Sequence, residues 1–107
     1  MVIAGQRRRG QVWWARVDKR RPVLLLSRAP AYIANRRVLV APITSRLRYN
    51  DATVELGPAD GLPRRSIVNL ENLASIPQSD LEEYMTTLHS TRMQQVCDAV
   101  RFATGCD

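Results

Sequence analysis

The side chains best suited to chemistry in this chain are Arg21, in an Arg-Pro pair, and Thr44, which closes the string Pro42-Ile43-Thr44. An arginine fork offers two parallel N–H donors to anionic oxygens, and a threonine hydroxyl can both donate and accept beside it. Each is expected at the end of a strand, and each sits in a strongly cationic stretch. Residues 1–48 hold twelve Arg or Lys against one acid, Asp18, a net charge of +11. Residues 49–107 hold four Arg against nine acids, a net −5. Fifteen of the sixteen cations are arginine, whose planar head matches phosphate and carboxylate better than a lysine point charge. Such a half suits a polyanionic partner, with arginine-favouring codon usage as the plain alternative.

Other reactive types are less well placed. The one histidine, His89, falls between two predicted helices and reads as an exposed turn residue, with no second histidine in the chain to complete an acid–base pair. Cys97 lies on the apolar face of the closing helix and reads as a small core residue. Cys106 has no placed base beside it. Two cysteines make neither a disulfide framework nor a zinc site. Asp51, Glu55 and Asp60 divide between a strand and turns, and Glu82-Glu83 reads as a helix-surface pair, so neither group has metal-ligand spacing. There is no phosphate-cradling glycine loop. No metal and no cofactor is therefore expected.

The elements that must position Arg21 and Thr44 are short and mostly extended. Residues 11–17, rich in aromatic and β-branched types, read as a strand. Asp18-Lys19-Arg20 is a tight polar connection, and Arg21-Pro22 opens the apolar run Val23-Leu24-Leu25-Leu26. Residues 27–37 read as a loop. Residues 38–43 read as a third strand, which Pro42 marks as an edge or a bulge. Residues 52–56, 66–70 and 72–76 read as three more. Residues 79–84 read as a short helix with a capping box from Ser79 to Glu82. A second helix runs from Ser90 or Thr91 to about Ala103, with Met93, Val96, Cys97, Val100 and Ala103 on its apolar face and Gly105 as its stop. The fold class expected is α+β: a small β-barrel of five to six strands with a short helix and a C-terminal helix, in one domain spanning 1–107. No apolar run is long enough to cross a bilayer. Apolar residues precede Arg7-Arg8-Arg9, the reverse of a secretory signal, so a cytoplasmic protein is expected.

Trp13 and Trp14 are neighbours on a strand, so their side chains leave opposite faces. One can enter the core; the other is left for a stacked base or for a contact between protomers.

Four strings in order resemble the MazF/PemK toxins: Arg9-Gly10-Gln11-Val12-Trp13, then Arg21-Pro22-Val23-Leu24-Leu25-Leu26-Ser27, then Val40-Ala41-Pro42-Ile43-Thr44-Ser45, then Gly61 through Leu70 with Glu71-Asn72-Leu73-Ala74-Ser75-Ile76. The resemblance covers about residues 8–104, and this compact, arginine-rich version is similar to actinobacterial members. It implies an SH3-like barrel with appended helices, a homodimer, sequence-specific cleavage of single-stranded RNA, and inhibition by a cognate acidic antitoxin. It implies that Arg21 and Thr44 are catalytic. Trp14, Arg16, Lys19, Arg20, Ser45, Arg46, Glu71 and Asn72 are the residues expected to contact RNA. One departure stands out: most members have a longer segment, with a Gly-Ser-Glu string, before Arg-Pro, whereas here only Asp18, Lys19 and Arg20 intervene.

The chemistry open to such a pair is internal attack by a ribose 2′-hydroxyl on the adjacent phosphorus. The products are a 2′,3′-cyclic phosphate and a 5′-hydroxyl. A guanidinium stays protonated at ordinary pH, so Arg21 is assigned electrostatic stabilisation of the growing phosphoryl charge, and the general base stays open. Thr44 can orient the 2′-hydroxyl or hold a phosphate oxygen. Two other classes remain: a non-enzymatic gyrase poison similar to CcdB, and a basic nucleic-acid-binding module without catalysis. Only the nuclease needs both Arg21 and Thr44.

Overall fold

The computed structural model describes residues 7–106, so the reading of charge order at residues 1–6 lies outside the described residues. Seven strands form its frame: β1 (Gln11–Arg16), β2 (Arg20–Leu25), β3 (Arg37–Thr44), β4 (Thr53–Leu56), β5 (Ser66–Asn69), β6 (Ala74–Pro77) and β7 (Leu81–Thr87). They follow the order β4-β5-β3-β2-β1-β7, with β6 paired to β3, and the pairs are antiparallel. The path ends at β4 and at β7 without closing, so the expected barrel is an open sheet, and it holds seven strands where five to six were expected.

The added strand corrects the reading of residues 79–84. The Ser79/Glu82 pattern does not cap a helix: residues Gln78–Asp80 form one 3-10 turn, and β7 starts at Leu81. Tertiary pairing overrides the local signal. β7 lies along β1 from Gln11↔Thr87 to Ala15↔Leu81, and Tyr84 meets the Trp13 ring edge-on at 6.1 Å. Glu82 and Glu83 are therefore strand residues rather than a helix-surface pair. The short helix lies elsewhere: α1 (Ala31–Ala34) is a single turn inside the predicted loop.

β3 divides its length among three partners. Arg37 to Val40 pair with β6, Val40 to Pro42 with β2, and Ile43 and Thr44 with β5. Pro42 is thus neither at an edge nor in a bulge. It pairs with Val23 at the point where β3 passes from one neighbour to the next, and its missing N–H fits the end of that ladder.

β1 and β2 are covered on both faces, which accounts for the unbroken apolar run in β2. Val12, Leu24, Ala41 and Ile43 join β4, β5 and the closing helix in one core. Trp13, Ala15, Val23, Leu25 and Val40 join Tyr32, Ile76 and Leu81 in the other. The closing helix, α2 (Ser90–Thr104), buries Val96 and Ala99 with Met93, Val100 and Ala103 alongside. Gly105 ends it at φ 71°, where its N–H reaches the Arg101 and Phe102 carbonyls, a left-handed cap that glycine adopts without strain. Among the described residues no helix is long and apolar enough to cross a membrane.

Candidate active site

The last bonded pair of the β2–β3 ladder is Val23↔Pro42. Continuing that register by two residues on each strand sets Arg21 opposite Thr44. The strands part instead: Arg21 stays on β1 opposite Ala15, and Thr44 turns to Ile67 of β5. The gap so formed opens to two clefts, and Arg21 and Thr44 line both.

The first cleft, of about 390 Å³, has an apolar side made by Trp14, Pro22, Leu62 and Pro63, with Arg20 and Arg64 at hand. The second, of about 590 Å³, is lined by Arg46, Arg48, Asn69 and Asn72. Lys19 and Ser45 border both, with Arg21 and Thr44.

Arg21 is half-buried, its side chain 24% exposed, and its guanidinium meets the Asp18 carboxylate at 2.9 Å. Asp18 lies in the short turn between β1 and β2, where its Oδ1 also accepts the Lys19 backbone N–H at 2.8 Å. Backbone N–H groups of Asp18 and Lys19, with the charges of Arg21 and Lys19 behind them, hold its carboxyl below the usual aspartate value. Thr44 Oγ1 accepts the Arg46 N–H at 3.1 Å, which ties the start of the 45–48 loop and leaves the hydroxyl proton available for donation.

The tryptophans separate as expected. Trp13 is buried, with Nε1 donating to Gln11 Oε1 at 2.9 Å. Trp14 is half-buried in the first cleft, and the Arg20 guanidinium lies over its ring at 4.5 Å. A base stacking on Trp14 must use the ring's other face or displace Arg20. Arg20 also pairs with Glu82 and Glu83, at 3.0 and 3.1 Å, and Arg16 with Glu82 at 3.3 Å.

Of the expected RNA contacts, Trp14, Lys19, Arg20, Ser45, Arg46 and Asn72 line the clefts, while Arg16 and Glu71 are exposed outside them. Arg48, Arg64 and Asn69 were not anticipated. Arg48 belongs to the cationic half, and Arg64 and Asn69 both stand in the Gly61–Leu70 string, so all three carried a signal, though nothing local set the Asn69 amide apart from the apolar strand it ends. His89 is exposed and is the N-cap residue of α2. Among the described residues, no three His, Cys, Asp or Glu gather as a metal site. Asp60 is committed to Arg92 at 3.0 Å and Glu55 to Arg65.

Known proteins share this sequence pattern and this fold. The sequence model of the PemK-like, MazF-like toxins of type II toxin-antitoxin systems matches residues 8–103. The probable endoribonuclease MazF5 of Mycobacterium tuberculosis is 41% identical over 101 residues, which is 92% of this chain and 93% of that protein. The solved structure of Mycobacterium tuberculosis toxin MazF-mt6 superposes with a TM-score of 0.86 at 31% identity, over 91% of this chain and 98% of the other. A mycobacterial endoribonuclease solved in complex with its cognate antitoxin has the same fold, with a TM-score of 0.86 at 24% identity, over 94% and 97% of the two chains.

Proposed function

This chain belongs to the PemK-like, MazF-like toxins of type II toxin–antitoxin systems, and we propose that, as the endoribonuclease of such a system, it cuts single-stranded RNA at Arg21 and Thr44. The observation that carries the assignment is their joint position at the β2–β3 gap, where an arginine fork and a free hydroxyl proton line the same cationic clefts.

The scissile phosphate sits on Arg21. The ribose 2′-hydroxyl gives up its proton as its oxygen attacks phosphorus, the P–O5′ bond breaks, and the leaving 5′-oxygen takes up a proton, so none is gained or lost overall. Charge builds on the non-bridging oxygens as the new bond forms, and the guanidinium donors stabilise it. Thr44 donates to a phosphate oxygen or holds the 2′-hydroxyl in line. Two fixed N–H donors supply the charge stabilisation a divalent cation would otherwise bring, so cleavage proceeds without metal. DNA, which lacks the 2′-hydroxyl, is spared. The toxin works as a cytoplasmic homodimer and is restrained by an acidic antitoxin.

The test is incubation of purified protein with single-stranded RNA in EDTA, with the ends mapped. Cyclic phosphate and 5′-hydroxyl ends are expected. Activity lost in EDTA and restored by magnesium refutes the mechanism.

A further inference from the structure

The two clefts lie on opposite faces of the sheet. The first takes Trp14, Pro22 and Ile43, residues whose strand positions alternate toward the core shared with α2. The second takes Ile67 and Asn69, two apart on β5 and therefore on one face of it, the face that carries Thr44's partner. Arg21 and Thr44 stand at the seam. An RNA strand crossing there leaves one nucleotide in the apolar cleft and the next in the polar one, with the scissile phosphate between them.

Asn69 is set to read that second nucleotide. Its Oδ1 accepts the Glu71 backbone N–H at 2.9 Å. An N–H cannot donate to the amide nitrogen, so this bond fixes which end of the amide is oxygen. The amide is thereby preorganised, and among the described residues its two N–H donors have no partner and are left for a ligand. It is half-buried in a cleft whose charged groups are all cationic, Lys19, Arg21, Arg46 and Arg48, with the Thr44 and Ser45 hydroxyls and the Asn72 amide beside them. Donors aimed at a base edge select carbonyl oxygens over amino groups.

We propose that Asn69 sets the base preference at the nucleotide beside the cut, favouring the keto bases uracil and guanine over the amino bases adenine and cytosine. The proposal rests on the endoribonuclease reading above and adds to it a residue that determines specificity.

The experiment digests single-stranded RNA of randomised central sequence with the native protein, Asn69→Asp and Asn69→Ser, and sequences the ends. Asn69→Asp keeps the oxygen that accepts the Glu71 N–H and removes both donors. The native protein should show a keto preference at one position next to the cut, by about tenfold. Asn69→Asp should reverse that preference toward amino bases, and Asn69→Ser should flatten it, with preferences at the other positions unchanged. Because preferences are ratios within one digestion, the added negative charge of aspartate cancels. An unchanged preference in both variants overturns the proposal while leaving the nuclease reading intact. Folded variants that cut nothing overturn it too, since Asn69 would then serve the reaction rather than base choice. A native protein that cuts no RNA removes the nuclease reading itself and this proposal with it.

Discussion

The Asp18 carboxylate occupies the Arg21 guanidinium at 2.9 Å, from within the three-residue turn that leads into β2. Asp18 is the one acid in the first 48 residues, and it sits where the proposed reaction places the scissile phosphate. RNA and Asp18 therefore compete for Arg21. Asp18→Asn should bind RNA several-fold more tightly at neutral pH, measured with an uncleavable 2′-deoxy substrate. The carboxyl is held below its usual value, so whatever stability the contact gives is present above the unfolded-state value and lost as pH falls through the folded one. Any difference in melting temperature between native protein and variant should then shrink as pH falls below the ordinary aspartate range. Equal RNA affinities for the two proteins would show that Asp18 moves aside at no cost.

Arg21→Ala and Thr44→Ala should each lower kcat by about 10²- to 10³-fold, the loss typical of removing one donor to developing negative charge. Neither side chain belongs to either buried core, so melting temperatures should move by no more than a few degrees. Arg21→Lys separates charge from shape. A point charge without the fork should recover binding but little of kcat. Full activity in a folded Arg21→Ala or Thr44→Ala protein would end the assignment.

Arg46 and Arg48 are exposed along the polar cleft, and among the described residues neither has a carboxylate partner. Each phosphate contact to a single strand contributes about 0.7 to the slope of log affinity against log salt. Arg46→Ala and Arg48→Ala should each reduce the slope by about that amount. Arg16, engaged by Glu82 and outside both clefts, should leave it unchanged when replaced by alanine. Titrations at several salt concentrations decide this, and a flat salt dependence in the native protein would detach the cationic half from RNA.

The strands that carry Arg21 and Thr44 were legible because each combines an apolar run with a proline or a polar turn at its end. α2 was legible from its spacing and from Gly105. β7 was not, because Ser79 and Glu82 imitate a helix start, and only the approach of β1 reveals that Tyr84 and Leu81 belong to a sheet. The seam was not legible either. It arises where β3 exchanges β2 for β5, a choice of partners that no local pattern encodes. Asn69 was missed for the same reason: its amide matters only once β5 lies beside Thr44. Nor did the sequence reveal that Arg20, expected to meet RNA, is held by Glu82 and Glu83 from a strand more than sixty residues away.

The same cationic clefts should receive the antitoxin. A surface that holds RNA phosphates also attracts a carboxylate-rich segment, and such a segment, too polar to bury a core of its own, is disordered until it binds. Charge alone would leave the contact sensitive to salt, so apolar side chains must anchor it. The first cleft offers the place for them, since Trp14, Pro22, Leu62 and Pro63 line it beside Arg20 and Arg64. An acidic segment there would also displace the Glu82 and Glu83 carboxylates from Arg20, substituting its own charges for those that β7 supplies. Competition binding tests this. Antitoxin and a substrate carrying 2′-deoxyribose at the cut site should exclude each other, and Trp14→Ala should weaken the antitoxin more than it weakens the RNA. If both ligands bind one toxin together at unchanged affinity, inhibition works from a separate surface, and the clefts serve RNA alone.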